Sequence, residues 1–190
     1  MKKKSVALVL ALALVVVCIV GGTLAWLTAA TTPVVNTFTT SDINITLTET
    51  GATNNANSYQ MIPGYTITKD PKVTVIAGSE KCYLFVKLEK STNFDSFMTY
   101  DMASGWTQGD GTNIPLNVWY RAVDSGTSDQ EFTVIANNQV TVNGTVTKEM
   151  MNNLTETTRP TLTVTAYASQ FNSSNATTFT AAQAWENVNN

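Results

Sequence analysis

The sequence predicts an all-β fold in which two sheets pack face to face as a β-sandwich. Two observations predict it. Short runs of β-branched and aromatic residues alternate with polar residues, and turns rich in Gly, Asn, Asp and Pro separate these runs. We expect at least about seven strands at the spacing typical of sandwiches. A length of 190 residues fits one such domain behind an export signal.

The N-terminus has the three-part plan of a secretory signal peptide. A basic start precedes an unbroken apolar run over residues 6–20, and small residues then lead to Ala25. Because signal peptidase accepts small side chains before the cut, we expect cleavage between Ala25 and Trp26. This divides the chain into a helical signal peptide, residues 1–25, and a mature domain, residues 26–190. A retained anchor is the alternative, although a membrane span needs about 20 apolar residues.

Charge and composition argue against two classes of function. Without the signal peptide, eight basic residues stand against fourteen acidic ones, a net charge of −6. Nucleic-acid binding requires clustered Lys and Arg, so no nucleic-acid partner is expected. Histidine is absent, which excludes Ser-His-Asp and Cys-His sites and every His-based zinc motif. We therefore predict a protein that is not an enzyme, with no catalytic, cofactor-binding or metal-binding residues.

The first half of the domain contains three predicted strands, at residues 43–49, 72–76 and 82–88. The polar stretch 51–58 and the turn at 61–64 lie between the first two. In the third strand both faces carry apolar residues, which predicts a central position between two packed layers. Cys82 belongs to this strand and is interpreted as a buried thiol.

The second half contains three further predicted strands, at residues 118–123, 131–135 and 162–168. Residues 124–130 are interpreted as a hairpin loop. The segment 109–113 is interpreted as a turn, because Asp110 is its single carboxylate and a calcium loop needs several.

Two helices are predicted near the C-terminus. Residues 147–154 form a short connecting helix, with Thr147 as its N-cap. Residues 180–188 form a terminal helix, because apolar residues recur at helical spacing. Trp185 is expected to anchor this helix onto the sheets.

Several segments of the first 90 residues resemble secreted TasA/camelysin-like proteins of Gram-positive bacteria. These segments are residues 21–28, 33–39, 42–49, 63–64, 68–75 and 78–87. The resemblance implies a jelly-roll-like β-sandwich and export through a SipW-type signal peptidase. It also implies a secreted structural protein of the cell surface or extracellular biofilm matrix. The chain would then touch the membrane only through its signal segment before cleavage.

Members of that family form fibres in which an N-terminal strand of one subunit completes the sheet of the next. The resemblance thus implies self-association as the partner interaction. An open sheet edge accepts an extended segment through backbone hydrogen bonds. The candidate donor strand consists of Val34, Val35, Asn36, Thr37, Phe38, Thr39 and Thr40. In the alternative arrangement this segment pairs within its own domain.

Two other functions stay open at this point. Some camelysin relatives are described as secreted metalloendopeptidases, although this sequence has no recognised zinc-peptidase pattern. A monomeric surface adhesin is the other alternative. Its natural contacts would be aromatic residues such as Trp106, Trp119 and Tyr120, which fit a core equally well.

Overall fold

Antiparallel strands make up most of the regular structure, which confirms the predicted all-β class. The computed structural model describes residues 42–52, 58–173 and 177–188. These residues contain ten strands, three α-helices and 3₁₀ turns at Ala136–Asn138 and Glu156–Thr158. The strands and α-helices are β1 (Ile45–Thr48), β2 (Thr66–Thr68), β3 (Lys72–Val75), β4 (Cys82–Lys90), α1 (Phe94–Phe97), β5 (Met98–Thr99), β6 (Thr107–Gln108), β7 (Val118–Val123), β8 (Gln130–Thr133), β9 (Gln139–Val142), α2 (Lys148–Asn152), β10 (Leu162–Gln170) and α3 (Ala181–Val188).

The predicted features of the N-terminal segment lie outside the described residues. They are the signal peptide, residues 1–25, the cleavage site at Ala25 and Trp26, and the candidate donor strand, residues 34–40.

The described strands form three antiparallel sheets. The first has the order β1-β3-β8, the second β10-β4-β7-β6 and the third β2-β9-β5. In the second sheet β4 is central, because Cys82 lies opposite Gln170 of β10 on one side and opposite Val123 of β7 on the other. The prediction of a central strand is confirmed.

The two faces of β4 belong to two different cores. Leu84 and Val86 belong to the main core, together with Val73 and Val75 of β3. The first and second sheets therefore each bury one apolar face in the main core. Phe85 points the other way, into an outer core that α3 covers. Full burial of side chains of this size contributes roughly 1.5–3 kcal/mol each to folding, which explains why both faces of β4 are apolar.

A third, smaller core lies under the third sheet. Its buried residues are Phe97, Val142 and Val146, and Met150 and Met151 of α2 pack against them. The predicted capping of α2 is confirmed, since the Thr147 hydroxyl accepts a hydrogen bond from the Met150 N–H at 3.2 Å.

The terminal helix α3 is held by a cap and by an aromatic anchor. The Thr180 hydroxyl accepts a hydrogen bond from the Gln183 N–H at 3.3 Å, and the Gln183 side-chain oxygen accepts one from the Thr180 N–H at 2.9 Å. The Trp185 ring centroid lies 5.2 Å from that of Phe85 and 5.5 Å from that of Tyr167. The predicted role of Trp185 as an anchor on the sheet is confirmed.

One predicted connection is wrong. Residues 124–130 were expected to close a hairpin, but β7 pairs with β4 and β6 while β8 pairs with β3. Both sides of β7 are already occupied, so the chain crosses to the other sheet instead. The sequence also does not predict β2, β5, β6 and β9. These strands have two to four residues, too few for an alternating pattern to stand out.

Candidate functional site

The candidate site is the outer edge of β10, where the second sheet ends. Leu162–Gln170 pairs with β4 on one side. On the other side, no strand within the described residues pairs with it. Nine residues are more than the five or six of a typical strand, and natural sheets usually keep edge strands short. A long free edge of this kind is a template for strand addition.

The hydrogen bonds at both ends of β10 fix which backbone groups point outward. The Ser91 N–H donates to the Thr161 carbonyl at 3.0 Å, and the Phe171 N–H donates to the Lys81 carbonyl at 3.1 Å. Since alternate residues of an antiparallel ladder bond to the partner strand, the odd-numbered residues of β10 bond to β4. The even-numbered residues turn their N–H and C=O groups to the free edge. They are Leu162, Val164, Ala166, Ala168 and Gln170.

A groove of about 510 Å³ runs between β10 and the neighbouring edge strand β1. The β10 wall consists of residues 162–166, and Leu47 and Thr48 form the β1 wall. Leu47 exposes 38 % of its surface, a large fraction for a leucine beside a core. The groove thus offers apolar surface along an edge that already presents free backbone groups.

A smaller cavity of about 250 Å³ adjoins this groove, and Lys69 and Leu162 line both. Its floor includes Phe94 and Val140, which are almost fully buried. Arg159 also lines the cavity and is exposed. The groove and the cavity therefore form one continuous concave surface.

An ion pair lies where the groove meets the cavity. The Lys69 Nζ lies 2.9 Å from Glu49 Oε2, and the two side chains are 14 % and 17 % exposed. The Tyr59 hydroxyl donates a hydrogen bond to Glu49 Oε1 at 2.6 Å. These contacts tie the segment after β1 to the segment after β2. Because partly buried pairs contribute little net free energy, their main effect is to fix the shape of the groove wall.

The structure places Cys82 and Asp110 in structural roles. Cys82 is fully buried in the main core, and burial raises the pKa of its thiol to about 11. A thiol of this kind stays protonated and unreactive at neutral pH. Hydrogen bonds from the backbone N–H groups of Ile114, Thr112 and Asn113 hold the pKa of Asp110 well below its usual range. The Asp110 carboxylate thus closes the predicted turn.

The aromatic residues considered for an adhesin lie mainly inside the fold. Trp106 is buried in the main core, and Trp119 packs against the same core. Tyr120 packs against the outer core. None of the three lines the groove or the cavity.

Two further features of the described residues concern metal binding and membrane insertion. In the described part of the chain, no group of three or more Asp, Glu, Cys or His side chains is arranged to hold a metal ion. No described helix has the length and apolar character needed to cross a lipid bilayer.

Sequence reasoning predicted β10 as a strand but missed that it is an edge. The side chains of Leu162, Val164, Ala166 and Ala168 pack against the main core and show the alternation of any half-buried strand. The small side chains of Ala166 and Ala168 were one signal of an edge strand. The neighbours of a strand, however, depend on pairing between segments that are far apart in the sequence. Comparison of the chain with protein-family models, with curated proteins and with solved structures finds no match.

Proposed function

We propose that this chain is a secreted structural protein that self-associates when an extended segment of one copy adds to the β10 edge of another. The observation that carries the proposal is the long edge of β10, which pairs with no strand of the described residues and lies beside an open groove. Each outward residue offers one N–H and one C=O, and a paired strand would satisfy both. The groove beside the edge, whose lining includes Leu47, Leu162 and Val164, would receive alternate side chains of the added strand.

The proposed donor is the segment Val34–Thr40 of the neighbouring copy. It carries no charge, so its insertion into the groove would leave no buried unpaired ion. Strand periodicity places Val34 and Phe38 on one side, where they would face the apolar wall of the groove. Signal cleavage after Ala25 would leave this segment close to a free N-terminus.

The proposal also includes secretion of the chain and its membership of a TasA/camelysin-like family. The basic and apolar leader supports secretion, and the resemblance within residues 21–87 supports a TasA/camelysin-like protein with jelly-roll topology. A place in the cell envelope or extracellular matrix follows from these two features. A SipW-type signal peptidase would act as the processing partner.

Two proline variants of the mature chain, residues 26–190, test the acceptor edge. Ala166 turns its N–H to the free edge, so Ala166→Pro removes a donor for the added strand and keeps the ladder to β4. Thr165→Pro removes a ladder donor instead and should cost about 1–3 kcal/mol of stability. Electron microscopy after incubation should show fibres for the wild type and none for Ala166→Pro. Urea denaturation should show near-wild-type stability for Ala166→Pro and a lower stability for Thr165→Pro.

Deletion of residues 26–40 tests the donor separately. The shortened chain should stay folded and monomeric, and wild-type fibres should stop growing at ends that it caps. Fibres of unchanged number from Ala166→Pro would rule out β10 as the acceptor. Fibres from the shortened chain alone would rule out residues 34–40 as the donor.

A further inference from the structure

Arg121 on β7 carries a guanidinium group that has no polar partner among the described residues. It lies opposite Leu84 of β4, and its side chain therefore points to the side of the main core. Its Nε is buried and has no hydrogen-bond partner. None of the ion pairs among the described residues includes Arg121. The guanidinium therefore carries a charge that has no counterion among the described residues.

Two aromatic rings hold the guanidinium in place. Its central carbon lies 4.3 Å from the ring centroid of Phe132 on β8 and 5.6 Å from that of Trp106. The indole N–H of Trp106 donates to the Thr133 carbonyl at 2.9 Å, which fixes that ring. Cation–π contacts of this kind stabilise a cation by less than the cost of removing a charge from water. The rings therefore orient the cation but do not replace a counterion.

The neighbouring turn leaves space for the end of the side chain. Gly105 has φ of +85°, and a Cβ at this position would lie 3.2 Å from each terminal nitrogen of Arg121. Nε is the one guanidinium nitrogen that is both buried and without a hydrogen-bond partner. The two terminal nitrogens also have no partner among the described residues, so they reach the surface. Burial also lowers the pKa of Arg121, which indicates that water solvates the group poorly. The two terminal nitrogens of Arg121 thus offer N–H donors at the surface, and the aromatic rings hold them in place.

We propose that Arg121 anchors a carboxylate-binding site between β7, β8 and the Gly105 turn. The two terminal nitrogens would donate parallel hydrogen bonds to the two oxygens of one carboxylate. The carboxylate can come from a small free acid or from an acidic side chain of a second copy. β4 separates this site from the β10 edge, so it is independent of the proposed strand addition.

The composition of the chain allows a direct test, because it contains two arginines, Arg121 and Arg159. In full-length protein labelled with ¹⁵N-arginine, each guanidinium gives its own Nε–H signal. Acetate should shift the Arg121 signal with saturation at about millimolar concentration, the affinity of a single bidentate pair. Arg159 lies exposed on another part of the fold and serves as the internal reference.

Variants and dilution complete the experiment. Arg159→Lys should leave the titration unchanged, whereas Arg121→Lys and Gly105→Ala should weaken acetate binding about tenfold or more. An Arg121 shift that grows with protein concentration and is reversed by acetate would identify a second copy as the source of the carboxylate. The proposal is overturned if the Arg121 signal does not move or if both arginines move in parallel.

Discussion

At the scale of single residues, burial decides the chemistry of the side chains in the main core. Cys82 and Arg121 both face this core, from neighbouring strands. The thiol is small and apolar enough to be buried without a partner, and its burial favours the neutral form. The guanidinium cannot become neutral in this way, so it keeps its charge between two aromatic rings. The same environment thus keeps the Cys82 thiol neutral and unreactive, whereas the Arg121 guanidinium keeps a charge that can bind an anion.

Cys82 should make the stability of the mature domain depend on alkaline pH. Its pKa is raised from 9.0 to about 11 in the folded state, so the unfolded chain loses the thiol proton first as pH rises. The folded state therefore loses stability between these two pKa values. From pH 8 to pH 10.5, the unfolding free energy should fall by about 2 kcal/mol more in wild type than in Cys82→Ala. Urea denaturation at both pH values measures this difference, and an equal fall in both proteins would contradict it.

At the scale of elements, α3 shows how a short amphipathic helix gains stability from one large side chain. Helices of about eight residues are marginal in isolation, so α3 depends on its packing against the sheet. Trp185 is the largest side chain of the helix in this packing; it is 6 % exposed and touches the rings of Phe85 and Tyr167. Loss of this contact would uncover the outer face of the second sheet.

Truncation of Trp185 should be costly, whereas truncation of its exposed neighbour should not. We expect Trp185→Ala to lower the unfolding free energy by about 3 kcal/mol, because it removes a buried aromatic side chain. Glu186→Ala should change it by less than about 0.5 kcal/mol. Urea denaturation followed by circular dichroism compares the two variants. A loss below about 1 kcal/mol for Trp185→Ala would mean that the outer core does not depend on the helix.

At the scale of the whole domain, the described residues pack into apolar cores. The main core joins the first and second sheets, and Cys82 is a free thiol. Five acidic side chains of the described residues form separate pairs with single lysines, such as Glu131 with Lys72 and Asp124 with Lys81. Within the described residues they do not converge on a common point.

This dispersed arrangement predicts that chelation has no effect on the protein. The thermal midpoint should change by less than about 1 °C in excess EDTA, since no bound metal would be lost from the folded state. Casein incubated with the purified mature chain should remain intact, with or without chelator. Chelator-sensitive cleavage by pure protein would favour the metallopeptidase alternative and contradict the structural role.

The sequence by itself determined the local features of this protein. Alternation over residues 82–88 predicted a strand with two buried faces, and Thr147 and Trp185 marked a helix cap and a helix anchor, because periodicity and capping are encoded in neighbouring residues. Only the tertiary structure decided which strands became neighbours. Leu162 pairs with Lys90, and Arg121 meets Phe132 from another sheet. Such contacts depend on hydrogen bonding and packing between distant segments, which the pattern of one segment does not specify. The free edge of β10 and the Arg121 site both arise at this level.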